Sequence, residues 1–146
     1  LLVALERRLN PRKAPRADDA PNACPCGTGI AYSACCGRYH TGVEAPTAEA
    51  LMRSRYAAYV LENADYLLHT WHASTCPVTL DLSTPAPLRW LGLKVIHHDT
   101  TSADHARVEF VARFKQGGRA SRLHEISRFV REGGCWYYVD SEFPGE

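Results

Sequence analysis

The chain has 146 residues and a formal net charge of +1, with 45% hydrophobic and 23% charged residues, values typical of one soluble globular domain. So balanced a charge gives no general reason to expect binding to nucleic acid or to an anionic membrane surface. No apolar run approaches the about 20 residues that cross a bilayer, and residues 1–5 are too short for a signal-peptide core, so we expect neither a membrane span nor a secretion signal. Clustered cysteines without such a signal favour a reducing compartment, the cytoplasm.

Residues 1–21 differ in composition from the rest of the chain. Their basic side chains outnumber the acidic ones, and Pro11, Pro15 and Pro21 interrupt any helix. We predict a flexible, basic N-terminal segment here. Contact with RNA through residues 7–16 is an alternative, but a solvated tail is the simpler interpretation, so nucleic acid is not expected as a partner.

The densest chemical signal is a cysteine cluster, CPCGTGIAYSACC, that holds four of the six cysteines. Thiolates packed this closely repel one another unless a cation such as zinc holds them, with metal–sulfur bonds of about 2.3 Å. Gly27 and Gly29 allow the positive-φ turns that bring the second cysteine pair back toward the first. Local disulfides are unattractive because a bridge between adjacent cysteines is strained. The spacing therefore predicts a metal knuckle at residues 22–42 with the ligands Cys24, Cys26, Cys35 and Cys36.

Zinc is the expected metal of this knuckle, although soft thiolate ligands also accept iron and the sequence does not separate the two. His40 follows Cys36 closely and is an alternative fourth ligand. Four cysteines around one ion leave no open coordination position, so the ion is expected to be structural.

Two helices are predicted after the knuckle. Thr47 is a plausible N-cap, and apolar residues then recur at helical spacing as far as about residue 62. Asn63 breaks this helix, and Asp65 can start a second one that carries Trp71. The prolines between residues 73 and 88 indicate an irregular crossover.

From Leu88 onward the hydrophobic period changes to two, which is typical of half-buried strands. A first strand is predicted from Leu88, with further strands near residues 107–115, 119–131 and 135–142 and a loose turn at residues 100–105. Helices followed by four consecutive strands predict an α+β fold, with the helices on one face of a curved four-stranded antiparallel sheet. This domain would occupy residues 43–146.

Two sets of motifs carry a resemblance to known proteins. CPCGTGIAYSACCGRYH resembles a SEC-C motif, a metal-binding knuckle also found at the C-terminal tail of the translocase ATPase SecA, with Thr28 where serine is commoner. Five further segments are similar to the YchJ-like family: LMRSRYAAYVLENADYLLHTWH, WLGL, FVARF, SRF and WYYVD. The resemblance covers about residues 22–143. It implies a cone-shaped fold like that of nuclear transport factor 2 and the cystatins, whose open end often forms a pocket.

Polar and aromatic residues that could surround the mouth of such a cone are candidates for a second site: Arg53, Tyr56, Trp71, His72, Trp90, Arg128, Tyr138 and Asp140. An aspartate or histidine in a partly desolvated cavity can act as a general base, and Arg128 could hold an anionic substrate in a forked contact. The simpler interpretation is that Arg53 or Arg128 pairs with Asp140 in a buried ion pair while the aromatic rings fill the core.

The favoured function is that of an adaptor whose knuckle presents a rigid surface to a protein partner. Four knuckle residues are expected to make the contact: Thr28, Ile30, Tyr32 and Arg38. The SEC-C resemblance implies a chaperone, a translocase or the ribosome as partner. An enzyme or small-ligand binder that uses the cone is the first alternative, and an RNA- or ribosome-associated protein is the second.

Overall fold

A computed structural model describes residues 22–84 and 86–144. The predicted N-terminal segment, with the basic stretch at residues 7–16, lies outside the described residues. Within them the chain forms α1 (Cys36–His40), α2 (Ala48–Val60) and α3 (Ala64–His69), followed by β1 (Leu88–Ser102), β2 (His105–Gln116), β3 (Arg119–Glu132) and β4 (Cys135–Glu142). Helices come first and a four-stranded antiparallel sheet follows, so the predicted α+β class is confirmed.

The two longer helices begin at side-chain caps. The Thr47 side chain accepts a hydrogen bond from the Ala50 amide at 3.0 Å, as predicted for α2. Asn63 caps α3 in the same way, by accepting from the Tyr66 amide at 3.1 Å. The prediction that this helix carries Trp71 is wrong, because α3 ends at His69. Trp71 forms an isolated bridge with Tyr138 of β4 instead.

The sheet is a meander in which β1, β2, β3 and β4 pair in chain order. Gly117 and Gly118 close one hairpin at positive φ, and Gly133 and Gly134 close another. The predicted loose turn at residues 100–105 is mostly strand, because β1 continues to Ser102 and β2 begins at His105. The pairing of β3 with β4 shifts register between Arg128 and Phe129, which marks a β-bulge.

One hydrophobic core joins the helices, the sheet and the cysteine knuckle. Leu51 and Ala57 of α2 are fully buried and belong to the same cluster as Val108 of β2 and Phe129 of β3. The four knuckle cysteines belong to that cluster as well. Among the described residues, no helix combines the length and the apolarity that spanning a membrane requires.

Candidate metal centre and cone cavity

A tight loop of the knuckle (residues 22–42) positions the first cysteine pair. Ala23 and Ala31 form an isolated antiparallel bridge, and the Cys24 amide donates to the Ile30 carbonyl at 2.9 Å. The chain turns back between them through Gly27, whose φ of 87° is in the left-handed region that glycine tolerates. Both cysteine side chains of this pair thereby point into the protein, where Cys26 is fully buried.

A short 3₁₀ turn, Tyr32–Ala34, comes directly before the second cysteine pair. Cys35 follows this turn, and Cys36 is the first residue of α1. The turn and the helix approach closely at Gly37. A Cβ atom at Gly37 would lie only 2.6 Å from the Tyr32 carbonyl oxygen, so this position requires glycine. The close approach holds Cys35 and Cys36 beneath the first pair.

The four sulfur atoms of Cys24, Cys26, Cys35 and Cys36 all lie within 4.8 Å of one another, and all four residues are buried. Cys26 Sγ and Cys35 Sγ are 3.6 Å apart, and the cysteines are free thiols. Sulfur atoms at the corners of a tetrahedron around zinc would be about 3.8 Å apart. The donor set and its spacing therefore fit a soft metal ion, and the predicted gathering of the two pairs is present.

The electrostatics of the cluster also favour a cation. Hydrogen bonds with Cys24 and Cys36 lower the pKa of the Cys26 thiol, whereas the contact with Cys26 raises the pKa of Cys24 to about 11. The contact with Cys24 and burial raise the pKa of Cys36 as well. Of Cys24, Cys26 and Cys36, only Cys26 is thus favoured as a thiolate by the cluster itself, and a positive ion would favour deprotonation of the other two.

His40 has a different role from the alternative ligand that its position indicated. Its Nε2 lies 2.8 Å from the Ser54 carbonyl oxygen and its Nδ1 lies 2.6 Å from the Tyr32 hydroxyl. Because a carbonyl oxygen only accepts, Nε2 donates to Ser54 and Nδ1 accepts from Tyr32. Both ring nitrogens are therefore engaged, and His40 ties the knuckle to α2.

Arg53 makes the second tie between the knuckle and α2. Its Nη1 donates to the Cys26 carbonyl at 3.0 Å, and its Nε donates to Glu49 at 3.0 Å. Arg53 was predicted at the cone mouth, but the structure places it beside the metal ligands. The cause is the helical direction of its side chain, which points toward the knuckle and not toward the sheet.

A cavity of about 270 Å³ lies between α2 and the inner face of the sheet. Three of the predicted mouth residues line it: Tyr56, Trp90 and Tyr138. Trp90 also packs edge-on against Tyr56, with ring centroids 5.6 Å apart. The cavity therefore has aromatic walls.

The other predicted mouth residues lie outside this cavity. Arg128 and Asp140 form a forked ion pair at 2.6 and 2.9 Å on the opposite face of the sheet, where both side chains are about half exposed. Their pairing was expected, but not this exposure. The β-bulge at Arg128 and Phe129 explains the difference, because it breaks the alternation that would place Asp140 on the same face as Tyr138.

Trp71 and His72 also lie outside the cavity. Trp71 packs edge-on against Tyr138, with ring centroids 5.2 Å apart. His72 Nε2 contacts the Glu132 carboxylate at 2.7 Å, and its Nδ1 lies 2.6 Å from the Ser74 hydroxyl. Neither side chain lines the cavity, so His72 is not positioned to act as a base within it.

The cavity contains polar residues that the sequence analysis missed: Arg55, Glu125, Ser127 and Ser141. Burial raises the pKa of Glu125, and burial lowers the pKa of Arg55. The strand pattern contained the signal for Glu125, because it alternates in phase with Leu123 and Ser127 on β3. The sequence indicated the cavity position of Arg55 less clearly, because Arg53 lies on the same predicted helix and no local pattern shows which of the two is buried.

Comparisons with known proteins agree with this architecture. The family model described as the YchJ middle NTF2-like domain matches residues 47–141, and the SEC-C motif model matches residues 22–38. A SEC-C motif containing protein from Rhodopseudomonas palustris, solved in solution, is 35% identical with a TM-score of 0.73, covering 82% of this chain and 97% of its own. A second such protein, a crystal structure from Psychrobacter arcticus, is 32% identical with a TM-score of 0.68 and covers 84% and 83%.

The fold and the cysteine site thus define a class of small α+β proteins in which a SEC-C knuckle is joined to an NTF2-like domain. A UPF0225 protein of Cupriavidus pinatubonensis is 54% identical over 145 residues, covering 94% of this chain and 99% of that relative. Another, from Methylibium petroleiphilum, is 57% identical over 129 residues, covering 88% and 93%. The chain belongs to this YchJ family of UPF0225 proteins.

Proposed function

We propose that this protein is a zinc-binding adaptor of the cytoplasm, in which the ion fixes the knuckle as a contact surface for a protein partner. One observation carries the proposal: four buried sulfur atoms lie within 4.8 Å of one another, and together they would use every position of a tetrahedral ion. A closed thiolate site supplies rigidity and offers no position for a substrate. Zinc is preferred to iron because it occupies such structural sites without redox chemistry.

The exposed side of the knuckle supports the contact surface. Ile30 is 49% exposed and Arg38 is an exposed cation, whereas Tyr32 is half-buried with its hydroxyl bonded to His40. Thr28 is also exposed, but its hydroxyl lies 3.2 Å from Cys35 Sγ, so it belongs partly to the sulfur cluster. An exposed apolar side chain and an exposed cation, on a backbone that a bound ion would hold rigid, suit recognition of a small patch on a partner. The SEC-C resemblance suggests a chaperone, a translocase or the ribosome.

The test compares partners captured by the native chain and by two single variants. Ile30→Asp places a charge on the contact surface, whereas Leu61→Asp changes a side chain that is equally exposed, at 48%, beyond the end of α2. We expect Ile30→Asp to lose a defined partner that Leu61→Asp retains, while both variants keep one zinc per chain by elemental analysis. Retention of the same partners by Ile30→Asp, or their loss from both variants alike, would contradict the adaptor role.

The cavity favours a second candidate function, the binding of a small ligand. Its aromatic walls and its separate location from the sulfur cluster support a role that does not depend on the metal.

A further inference from the structure

Arg55 is an unusual side chain of the cone because it is a buried cation without a carboxylate partner in the described residues. It is 5% exposed, and its Nη1 donates to the Leu67 carbonyl at 2.7 Å and to the Thr70 hydroxyl at 2.8 Å. A guanidinium has five N–H bonds, so about three remain, on Nε and Nη2, for which the described residues supply no acceptor. Buried charges are normally paired, because leaving one unpaired costs free energy.

The surroundings of Arg55 hold its planar group in place. The guanidinium carbon lies 4.4 Å from the ring centroid of Tyr138 and 5.1 Å from that of Trp71. These aromatic faces stabilise the charge without using its N–H donors. The guanidinium is therefore fixed in one orientation and keeps its proton at neutral pH. Arg55 also lines the cavity, and its remaining N–H groups are available as hydrogen-bond donors to a ligand.

The other residues that line the cavity favour a ligand with an apolar body. Most of the walls are apolar or aromatic: Met52, Trp90, Phe110, Ala112, Leu123 and Phe129. The volume of about 270 Å³ is just below the range of about 300–1,000 Å³ of ordinary ligand pockets, so one ring or a short branched chain fits.

A hydroxyl cluster adds polar groups to the lining. The Tyr138 hydroxyl lies 2.8 Å from Ser141 Oγ, which lies 3.2 Å from Ser127 Oγ, and all three residues line the cavity. Because a hydroxyl both donates and accepts, this cluster can complete the hydrogen bonds of a carboxylate that two guanidinium donors hold.

Glu125 is the one feature of the lining that favours a positively charged ligand over a negatively charged one. Its carboxylate also lines the cavity, and a cationic ligand could pair with it. However, Glu125 is half-buried, whereas Arg55 is almost fully buried, so the deepest charge that a ligand meets is positive. Glu125 can also become neutral by taking up a proton, which Arg55 cannot match by losing one.

From these observations we propose that the cone cavity binds a small organic acid with an apolar or aromatic body, and that Arg55 holds its carboxylate. The inference rests on the second candidate function above, and it adds the chemical class of the ligand. It is independent of the adaptor role of the knuckle.

Three probes of the same shape test the charge of the ligand on the full chain: phenylacetate, 2-phenylethanol and 2-phenylethylamine. Binding is followed by calorimetry and by shifts of the tryptophan indole signals in NMR spectra, since Trp90 lines the cavity and Trp71 contacts Arg55. We expect the affinity for phenylacetate to be at least about tenfold higher than the affinity for the alcohol, because a charge-assisted hydrogen bond is stronger than a neutral one. The amine should bind least well.

Two variants and a matched control locate the binding. Arg55→Lys keeps the charge but loses the planar fork, so it should weaken phenylacetate binding about tenfold and leave binding of the alcohol unchanged. Leu123→Trp fills the cavity and should abolish binding of all three probes, which keeps the test informative if Arg55→Lys folds poorly. Arg128→Lys makes the same exchange on the opposite face of the sheet and should change nothing.

The outcomes separate the ligand class from the ligand site. Equal binding of acid and alcohol, or a preference for the amine, would overturn the organic acid while leaving a small-ligand site. Absence of binding by every probe at millimolar concentration would overturn both. Phenylacetate binding that survives Leu123→Trp would also overturn the proposal.

Discussion

Glu125 lies at the middle of β3, opposite Phe110 of β2, with its carboxylate in the cavity. Burial raises its pKa above the ordinary value of 4.5, because the charged form loses hydration there. The folded chain therefore binds this proton more tightly than the unfolded chain. Ionisation of Glu125 consequently lowers the free energy of unfolding as the pH rises through the raised pKa.

We therefore expect Glu125→Gln to stabilise the protein at neutral pH, because glutamine fills the same space without a charge. The difference in unfolding free energy between variant and native chain should shrink to nothing below the ordinary pKa of 4.5, where Glu125 is protonated in both states. Urea unfolding at a series of pH values measures it. Glu62→Gln, at an exposed carboxylate after α2, is the control and should show no such trend. A Glu125→Gln variant that is less stable than the native chain at neutral pH would contradict this account.

Single residues differ in how well the sequence predicts their role. The four cysteines were predictable because their spacing is itself the chemistry of the site. Arg53 and Arg55 were not separable, because both lie on α2 and the burial of one depends on the distant Leu67, Thr70 and Tyr138. A buried, partly unpaired arginine is a property of packing and leaves no local pattern.

Among the elements, the outer face of the sheet has like-charged side chains that face each other across neighbouring strands. Arg113 of β2 lies directly opposite Arg122 of β3, and Arg89 of β1 lies directly opposite Lys115. All four side chains are exposed, and none forms an ion pair among the described residues, unlike Arg107 nearby. Like charges that face each other across a ladder destabilise the strand pair.

Arg122→Glu should therefore stabilise the protein, by about 0.2–1 kcal/mol, because it turns a repulsive cross-strand pair into an attractive one. Chemical denaturation at low ionic strength measures the change, which should diminish in high salt. Arg119→Glu is the matched control, since Arg119 lies opposite the neutral Gln116. If the two variants are equally stable, the repulsion across the pair is not significant.

The elements themselves were largely predictable, and the exceptions have a common cause. Period-two alternation predicted the strands from Leu88 to about residue 115, and Thr47 predicted the start of α2. The face on which Asp140 lies was not predictable, because one extra residue in β4 changes the alternation and no residue type marks that bulge. The same bulge allows Tyr138 and Ser141 to face the cavity together.

At the scale of the whole molecule, the knuckle is continuous with the cone. The cysteines share a core with α2 and the sheet, and His40 and Arg53 bond the two parts directly. An ion in the knuckle would therefore stabilise α2 as well as its own loop, because binding free energy adds to folding free energy. The contact surface and the cavity lie on one body, although their proposed ligands differ.

X-ray absorption at the metal edge of the purified, reduced chain shows whether four sulfur atoms close around one ion. We expect one zinc per chain with four sulfur neighbours at about 2.3 Å. A Cys35→Ser, Cys36→Ser variant should lose this signal, whereas Cys135→Ser, a change outside the cluster, should keep it. A metal-free chain under zinc-replete conditions, a nitrogen neighbour in place of a sulfur, or disulfides among the four cysteines would contradict this expectation.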